Sequence, residues 1–281
     1  MFLTVDGAKL YYEVRGRGPV LLIAQSGEGD AGRSADLVDR LVDRYTVVTY
    51  DRRGLSRSEI AAPGRGVRMG QHADDAHRLL AELTDRPALM LGCSMGASIG
   101  LHLAVRHPEQ LATLVAHEPV SPALLPAGRR PHHVRELRAL QQVYRGGGLK
   151  AALPEMARVL GIDPVHQETE PDITPMPLTP QRATDFAFFI EQDFTAVVQA
   201  ELDVEAVARS TVRIVPAVGR RTAPEVFDRH CALELARLRG TPAREFPGGH
   251  NGNTTHPRAY AARLTEVLES GPEGGPDGDD G

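Results

Sequence analysis

Short, largely apolar runs recur along the first part of the chain: Val20–Ala24, Thr46–Tyr50, Ala88–Leu91 and Leu111–Ala116. Runs of this length without strict alternation suit strands buried on both faces of a parallel sheet. The segments between them carry apolar residues at helical spacing. Leu37, Val38, Leu41 and Val42 share one face of Ser34–Tyr45, and Gln71–Leu83 and Ala97–Arg106 follow the same period. Ahead of them, Thr4–Val14 reads as a hairpin turning at Asp6-Gly7, where glycine supplies positive φ. Strands alternating with helices predict an α/β fold built on a mostly parallel, doubly wound sheet.

From Ser121 the rhythm changes. Prolines cluster between helical patterns at Val134–Tyr144 and Thr179–Gln199, and no strand-like run intervenes until Val212–Val218. A helix at Pro224–Arg239, a strand at Ala243–Phe246 and a helix at Pro257–Glu269 complete the pattern. The expected organisation is a core of residues 1–120 and 211–270 with an inserted helical lid, 121–210. Residues 271–281 contain no large apolar side chain and are expected to form a disordered acidic tail.

Composition narrows the function classes. With 281 residues, 41% of them hydrophobic, the chain can bury one sizeable core. Its formal charge of −5 owes much to Glu273, Asp277, Asp279 and Asp280 in the tail, so the body is close to neutral. Neither a nucleic acid nor an anionic membrane is implied as partner. No stretch approaches the ~20 apolar residues of a membrane helix, and no secretory leader is legible at the amino terminus. Cys93 and Cys231 are too few for a disulfide framework, which fits a cytoplasmic setting. Oligomeric state is not legible.

The chemistry concentrates in two places. Gly92-Cys93-Ser94-Met95-Gly96 falls where a buried strand turns into a helix. Such a turn forces its central residue into strain and exposes the Ser94 hydroxyl at the sheet's carboxyl edge, with the Met95 amide aimed at the same space. A serine hydroxyl needs a base. Gly248-Gly249-His250, between the last short strand and the last helix, is placed to supply one. Of the other histidines, His72, His77, His132 and His133 show no acid at metal-ligand spacing and read as solvated, and His256 reads as a helix-start residue; no metal site is expected.

On Gly92–Gly96 and His250, the chain resembles the α/β-hydrolase superfamily over roughly residues 1–270. Tyr50–Ser58 is similar to that family's post-strand segment ending in glycine and serine, and the helical insertion resembles its substrate-selecting lid. Two departures matter. Where many relatives carry His-Gly after the third strand, this chain has Gln25-Ser26-Gly27-Glu28-Gly29. The resemblance implies a second oxyanion amide from this loop, with Ser26 as first candidate and Gly27 next. Where most relatives place the triad aspartate, Gly219-Arg220-Arg221-Thr222-Ala223 offers no acid before Glu225. Some relatives draw it from the end of the preceding strand, a position Glu118 occupies here.

The resemblance thus implies a cofactor-free serine hydrolase of an ester, thioester or lactone of a small organic molecule. Ser94 is the nucleophile, His250 the base, Glu118 the orienting acid, and Met95 and Ser26 the oxyanion donors. Phe186, Phe188, Phe189, Met156 and Met176 would furnish an apolar pocket or pack the core. Two alternatives stay open: a lyase, cyclase or carbon–carbon hydrolase in the same pocket, and a ligand-binding protein with a vestigial triad. Epoxide hydrolases and dehalogenases of this fold use an aspartate nucleophile, which Ser94 disfavours.

Overall fold

The computed structural model describes residues 1–163 and 166–270, Pro63 by its backbone alone, and the expected acidic tail at 271–281 lies outside them. The apolar runs form the interior of a nine-stranded sheet: β1 Phe2–Val5, β2 Ala8–Gly16, β3 Val20–Ala24, β4 Thr46–Tyr50, β5 Glu59–Ile60, β6 Ala88–Cys93, β7 Leu111–His117, β8 Arg213–Gly219 and β9 Arg244–Phe246. The order is β1-β2-β4-β3-β6-β7-β8-β9, with β5 beside β2. β2 runs antiparallel to β1, β4 and β5, and the strands from β4 to β9 are mutually parallel.

Alternate residues of each central strand enter different cores, as a period of two requires. Leu22, Val48, Met90 and Leu114 pack with the helices Met69–Leu83, Met95–Arg106 and Phe227–Arg239 on one face. Leu21, Ile23, Leu91 and Val115 pack with Leu37, Leu41, Tyr260 and Leu264 on the other. Both faces are therefore dry, which is why these strands lack the polar alternation of a half-exposed sheet.

Between β7 and β8 the described residues form helices and no strand: Arg130–Val159, kinked at Gly148, Pro180–Phe188, Phe194–Val198 and Val204–Arg209. Leu137, Leu140, Phe186, Ile190 and Phe194 share one apolar cluster with the sheet, so this segment is seated on the carboxyl edge. The expected helix at Ser34–Tyr45 is largely absent. Only Ala35–Val38 is α-helical, after a 3₁₀ turn at Ala31–Ser34, although Leu37, Val38 and Leu41 bury as anticipated. Beyond Val38 the hydrogen bonding is mixed: Val42 and Tyr45 donate four residues back, but Arg40, Leu41 and Arg44 donate three back, so the segment tightens into successive turns rather than a regular α-helix. Strand β5 and helix Val204–Arg209 were not expected; two and six residues carry little periodicity.

A buried charge network ties the helical segment to the sheet. Asp193, in a π-helical turn at Phe189–Asp193, accepts from the Arg52 guanidinium at 2.9 Å and lies 3.1 Å from His72 Nε2. All three are at most 1% exposed. Burial would raise the Asp193 carboxyl, but Arg52 and His72 outweigh it and hold it below the ordinary value. His72 is thus an interior partner rather than the solvated residue its sequence context suggested. Asp193→Ala leaves Arg52 buried without its counter-charge and is expected to cost about 3–5 kcal/mol. Chemical denaturation checks this, and a loss below about 1 kcal/mol is the contrary result.

Candidate active site

Strand register assembles the site. Ala24 of β3 pairs with Gly92 of β6, and Cys93 pairs with His117 of β7, whose neighbour in β8 is Ala217. Parallel strands lie ~4.8 Å apart. Two residues beyond Ala24 and Gly92 come Ser26 and Ser94, and one beyond His117 comes Glu118. Gly219 pairs with Phe246 of β9, four residues before His250. The sequence-selected residues therefore converge on one edge.

Ser94 sits at φ 52°, ψ −112° between β6 and the helix Met95–Arg106, its amide donating to the His117 carbonyl at 2.8 Å. A side chain at Gly96 would collide with the Ala24 carbonyl, so glycine there lets the helix start press against β3. The Met95 N–H, in the helix's first turn, has no intrahelical acceptor. Glu118 is also at positive φ, 45°, and with Ser94 makes two of the four such non-glycine residues among those described. Conformations of this kind cost ~1–3 kcal/mol and concentrate at functional sites.

The Glu118 carboxylate is fully buried and doubly held. Oε1 accepts from the Gly219 amide at 2.9 Å, and Oε2 lies 2.8 Å from His250 Nδ1. Burial opposes its ionisation, yet the His250 hydrogen bond, the neighbouring histidines and the Gly219 amide bring it down to about 2. Gly219 is needed for close approach: a Cβ there would lie 2.6 Å from the Gly249 backbone of the histidine loop. The Arg220 and Arg221 amides brace that loop by donating to the Phe246 and Gly248 carbonyls, each at 2.9 Å. Glu225 is exposed and precedes the helix Phe227–Arg239, outside the cluster.

Three features were missed in the sequence. Arg52 donates to the carbonyls of Gln25, at 3.3 Å, of Ser26, at 2.8 Å, and of Gly27. In a trans peptide the next N–H points opposite its carbonyl, so the Ser26 and Gly27 amides face away from Arg52. Asp228 is 1% exposed, with Oδ2 3.7 Å from His250 Nε2 and Oδ1 without a hydrogen-bond partner among the described residues. Burial, above all, pushes its carboxyl up to about 7, with Glu118 and Glu136 adding and His250 opposing. Lastly, Glu136 lies 2.5 Å from His133 Nδ1, and His132, His133 and Glu136 cluster, as do His77, His107 and Glu109. Acids do therefore accompany those histidines, one helical turn away or across a fold contact, and His133 is buried.

Ser94, His250, Asp228 and Ser26 line one cavity of about 460 Å³, with Met156, Met176, Phe186 and Phe189 among its apolar walls. Phe188 packs against Gly54 and is not in the lining. Among the described residues the Ser94 hydroxyl has no hydrogen bond, a bond that in unliganded sites often tightens only with substrate.

A family model described as the alpha/beta hydrolase fold matches residues 19–143. YraK of Bacillus subtilis, described as an uncharacterized hydrolase, is 37% identical over 271 residues, 95% of each chain. The chain belongs to the α/β-hydrolase family. Among solved structures, an esterase from Exiguobacterium antarcticum superposes with a TM-score of 0.76 at 18% identity, over 96% of this chain and 99% of its own. The enol-lactonase from Burkholderia xenovorans LB400 gives 0.69 at 21%, over 96% and 100%. At these identities the likeness is one of fold. No described helix of this hydrolase is long and apolar enough to cross a membrane.

The two carboxyls flanking His250 give a pH prediction. Burial works against the imidazolium, but the Glu118 hydrogen bond and the charges of Asp228 and Glu118 overcome it, raising His250 above 6.5. Were His250 to serve as a base it would have to be neutral, which would put the acid limb of kcat/KM above pH 6.5. Asp228→Asn removes one carboxylate and should move that limb to lower pH. Because the folded Asp228 carboxyl titrates about 7 against 3.8 ordinarily, its burial lowers stability progressively as pH rises between those values. The variant should therefore gain stability on the wild type at pH 8 relative to pH 4. Parallel denaturation and rate profiles at both pH values check both signs, and an unmoved acid limb is the contrary outcome.

Proposed function

We propose that this hydrolase cleaves an ester, thioester or lactone of a small organic substrate by acyl transfer to Ser94. The observation that carries the reading is Glu118, strained, buried and shared between the Gly219 amide and His250 Nδ1, beside a serine held at positive φ. In this scheme His250 Nε2 takes the Ser94 proton as Oγ attacks the carbonyl carbon, and the Met95 and Ser26 amides receive the developing oxyanion. His250 returns the proton to the leaving alkoxide or thiolate, and water activated by the same nitrogen releases the acid. Esterase and enol-lactonase relatives of the same fold accord with this substrate class. Residues 121–210 would act as the lid that encloses the substrate.

Incubation with a fluorophosphonate followed by peptide mapping tests the nucleophile without knowledge of the substrate. Modification confined to Ser94 is expected; an unmodified chain that still turns over an activated ester would overturn the reading. Asp228 beside Nε2 favours one second reading, acid–base chemistry in which Ser94 is not acylated.

A further inference from the structure

The cavity above Ser94 is apolar on most sides but carries a cluster of charge on one wall. Glu28, two residues beyond Ser26, is 6% exposed. Arg182, from the helix Pro180–Phe188, donates to its Oε1 at 2.8 Å, and Arg33 Nε lies 3.4 Å from the same oxygen. The side chains of Arg33 and Arg182 are only 14% and 19% exposed, and all three residues line the cavity. Burial raises the Glu28 carboxyl, yet the two guanidinium groups pull it below its ordinary value, so it is ionised. One negative charge thus stands between two positive ones, and the wall has a surplus of one positive charge.

The surplus is also poorly satisfied. Arg33 offers five N–H donors. Among the described residues its one hydrogen bond is from Nη1 to the Met176 thioether, 2.7 Å away, a weak acceptor, and Nε has none. Arg182 is better held, its Nη1 donating to the Met176 and Pro177 carbonyls, and only its Nε is left without a partner among the described residues. A clamp built only to fasten the helical segment to the β3 loop would need one cation for Glu28. A second cation in the lining, held at Glu28 only by a longer contact and otherwise bonded to a thioether, gives the wall the chemistry to take one more anion. The other acid in the lining, Asp228, is largely protonated below neutrality and does not cancel the surplus there.

We propose that Arg33 and Arg182 bind a carboxylate of the substrate, so that the favoured substrates are esters, thioesters or lactones bearing a free carboxylate near the scissile bond. The distance suits this: Ser26 and Glu28 are two residues apart, at most ~7 Å of chain, so the anion sits a few bonds from a carbonyl at Ser94. The inference rests on the hydrolase reading and deepens it.

Two matched pairs test it. Mono-4-nitrophenyl glutarate is compared with 4-nitrophenyl pentanoate, placing the charge on the acyl side. 4-Acetoxybenzoate is compared with its methyl ester, placing it on the leaving group. In at least one pair kcat/KM of the anionic member is expected to be tenfold or more higher, through KM, with the advantage shrinking in high salt. Within Arg33→Gln and Arg182→Gln the anionic-to-neutral ratio should fall toward one, whatever happens to the neutral rate; that ratio separates binding from a general loss of fold. Should either variant fail to fold, inhibition of wild-type pentanoate hydrolysis by glutarate, stronger than by glutaramide, carries the same test. Parity in both wild-type pairs, or a preference that survives both substitutions, overturns the inference while neutral turnover and Ser94 labelling keep the hydrolase reading intact. If no ester reacts and Ser94 is not labelled, both readings fall.

Discussion

Replacing Ser94 by alanine is expected to abolish fluorophosphonate labelling and lower ester turnover by roughly 10³–10⁶-fold, because only the oxyanion amides and substrate binding would remain. The substitution removes the proposed attacking atom and leaves its surroundings intact: the residue-94 amide still donates to the His117 carbonyl, and the turn keeps its shape. No loss of stability should accompany the loss of rate. Ser94→Gly sharpens the point. Glycine tolerates φ 52° without steric cost, whereas serine and alanine do not. The glycine variant should be equally inactive yet unfold at the same or a slightly higher temperature than the alanine variant. An inactive variant of unchanged melting temperature separates chemistry from folding. Catalysis that survives both substitutions would instead favour acid–base chemistry by His250 and Asp228, without an acyl-enzyme.

Much of this arrangement was legible beforehand, and the reasons are local. A strand buried on both faces has to be apolar throughout, so Val20–Ala24 and Ala88–Leu91 declare themselves. The Gly92–Gly96 turn declares itself because a side chain at Gly96 would meet the backbone of the next strand. Asp228 was invisible for the opposite reason: a lone aspartate near a helix start looks like a surface charge, and only the fold turns it inward beside His250. Arg52 and Asp193 stand 141 residues apart, and no periodicity couples them. The same limit explains His72 and His133, whose partners are set by packing or by a helical turn that sequence context left unweighed. The abbreviated helix at Ala35–Val38 shows the converse: apolar spacing foretold which side chains bury, but it does not distinguish a regular α-helix from the tighter three-residue turns that follow Val38.

Glu118→Gln is expected to leave the protein folded and to cut turnover by roughly 10²–10⁴-fold, the loss seen when a triad acid becomes an amide. The carboxylate accepts at both oxygens, from the Gly219 amide and from His250 Nδ1. Glutamine can keep the first bond through its carbonyl, which then turns its NH₂ toward Nδ1. The imidazole is left to accept there, and its proton moves to Nε2, the nitrogen that in the proposed scheme receives one from Ser94. Some stability should also go. A carboxyl held at about 2, against 4.5 ordinarily, contributes stability that is fully present above 4.5 and fades as pH falls toward 2. The deficit of the variant should therefore be visible at pH 7 and shrink in acid. Loss of the carboxylate also removes one cause of the raised His250 value, so the residual activity should show its acid limb at lower pH than the wild type. Glu225→Gln, at an exposed position before the helix Phe227–Arg239, should change turnover by less than about threefold. Assaying both variants and Asp228→Asn with one activated ester from pH 5 to 9 distinguishes the three carboxyls. A crippled Glu225→Gln beside a healthy Glu118→Gln would return the acid to the β8 loop. If Asp228→Asn alone loses several orders of magnitude, the working contact is at Nε2, and acylation of Ser94 is not the reaction.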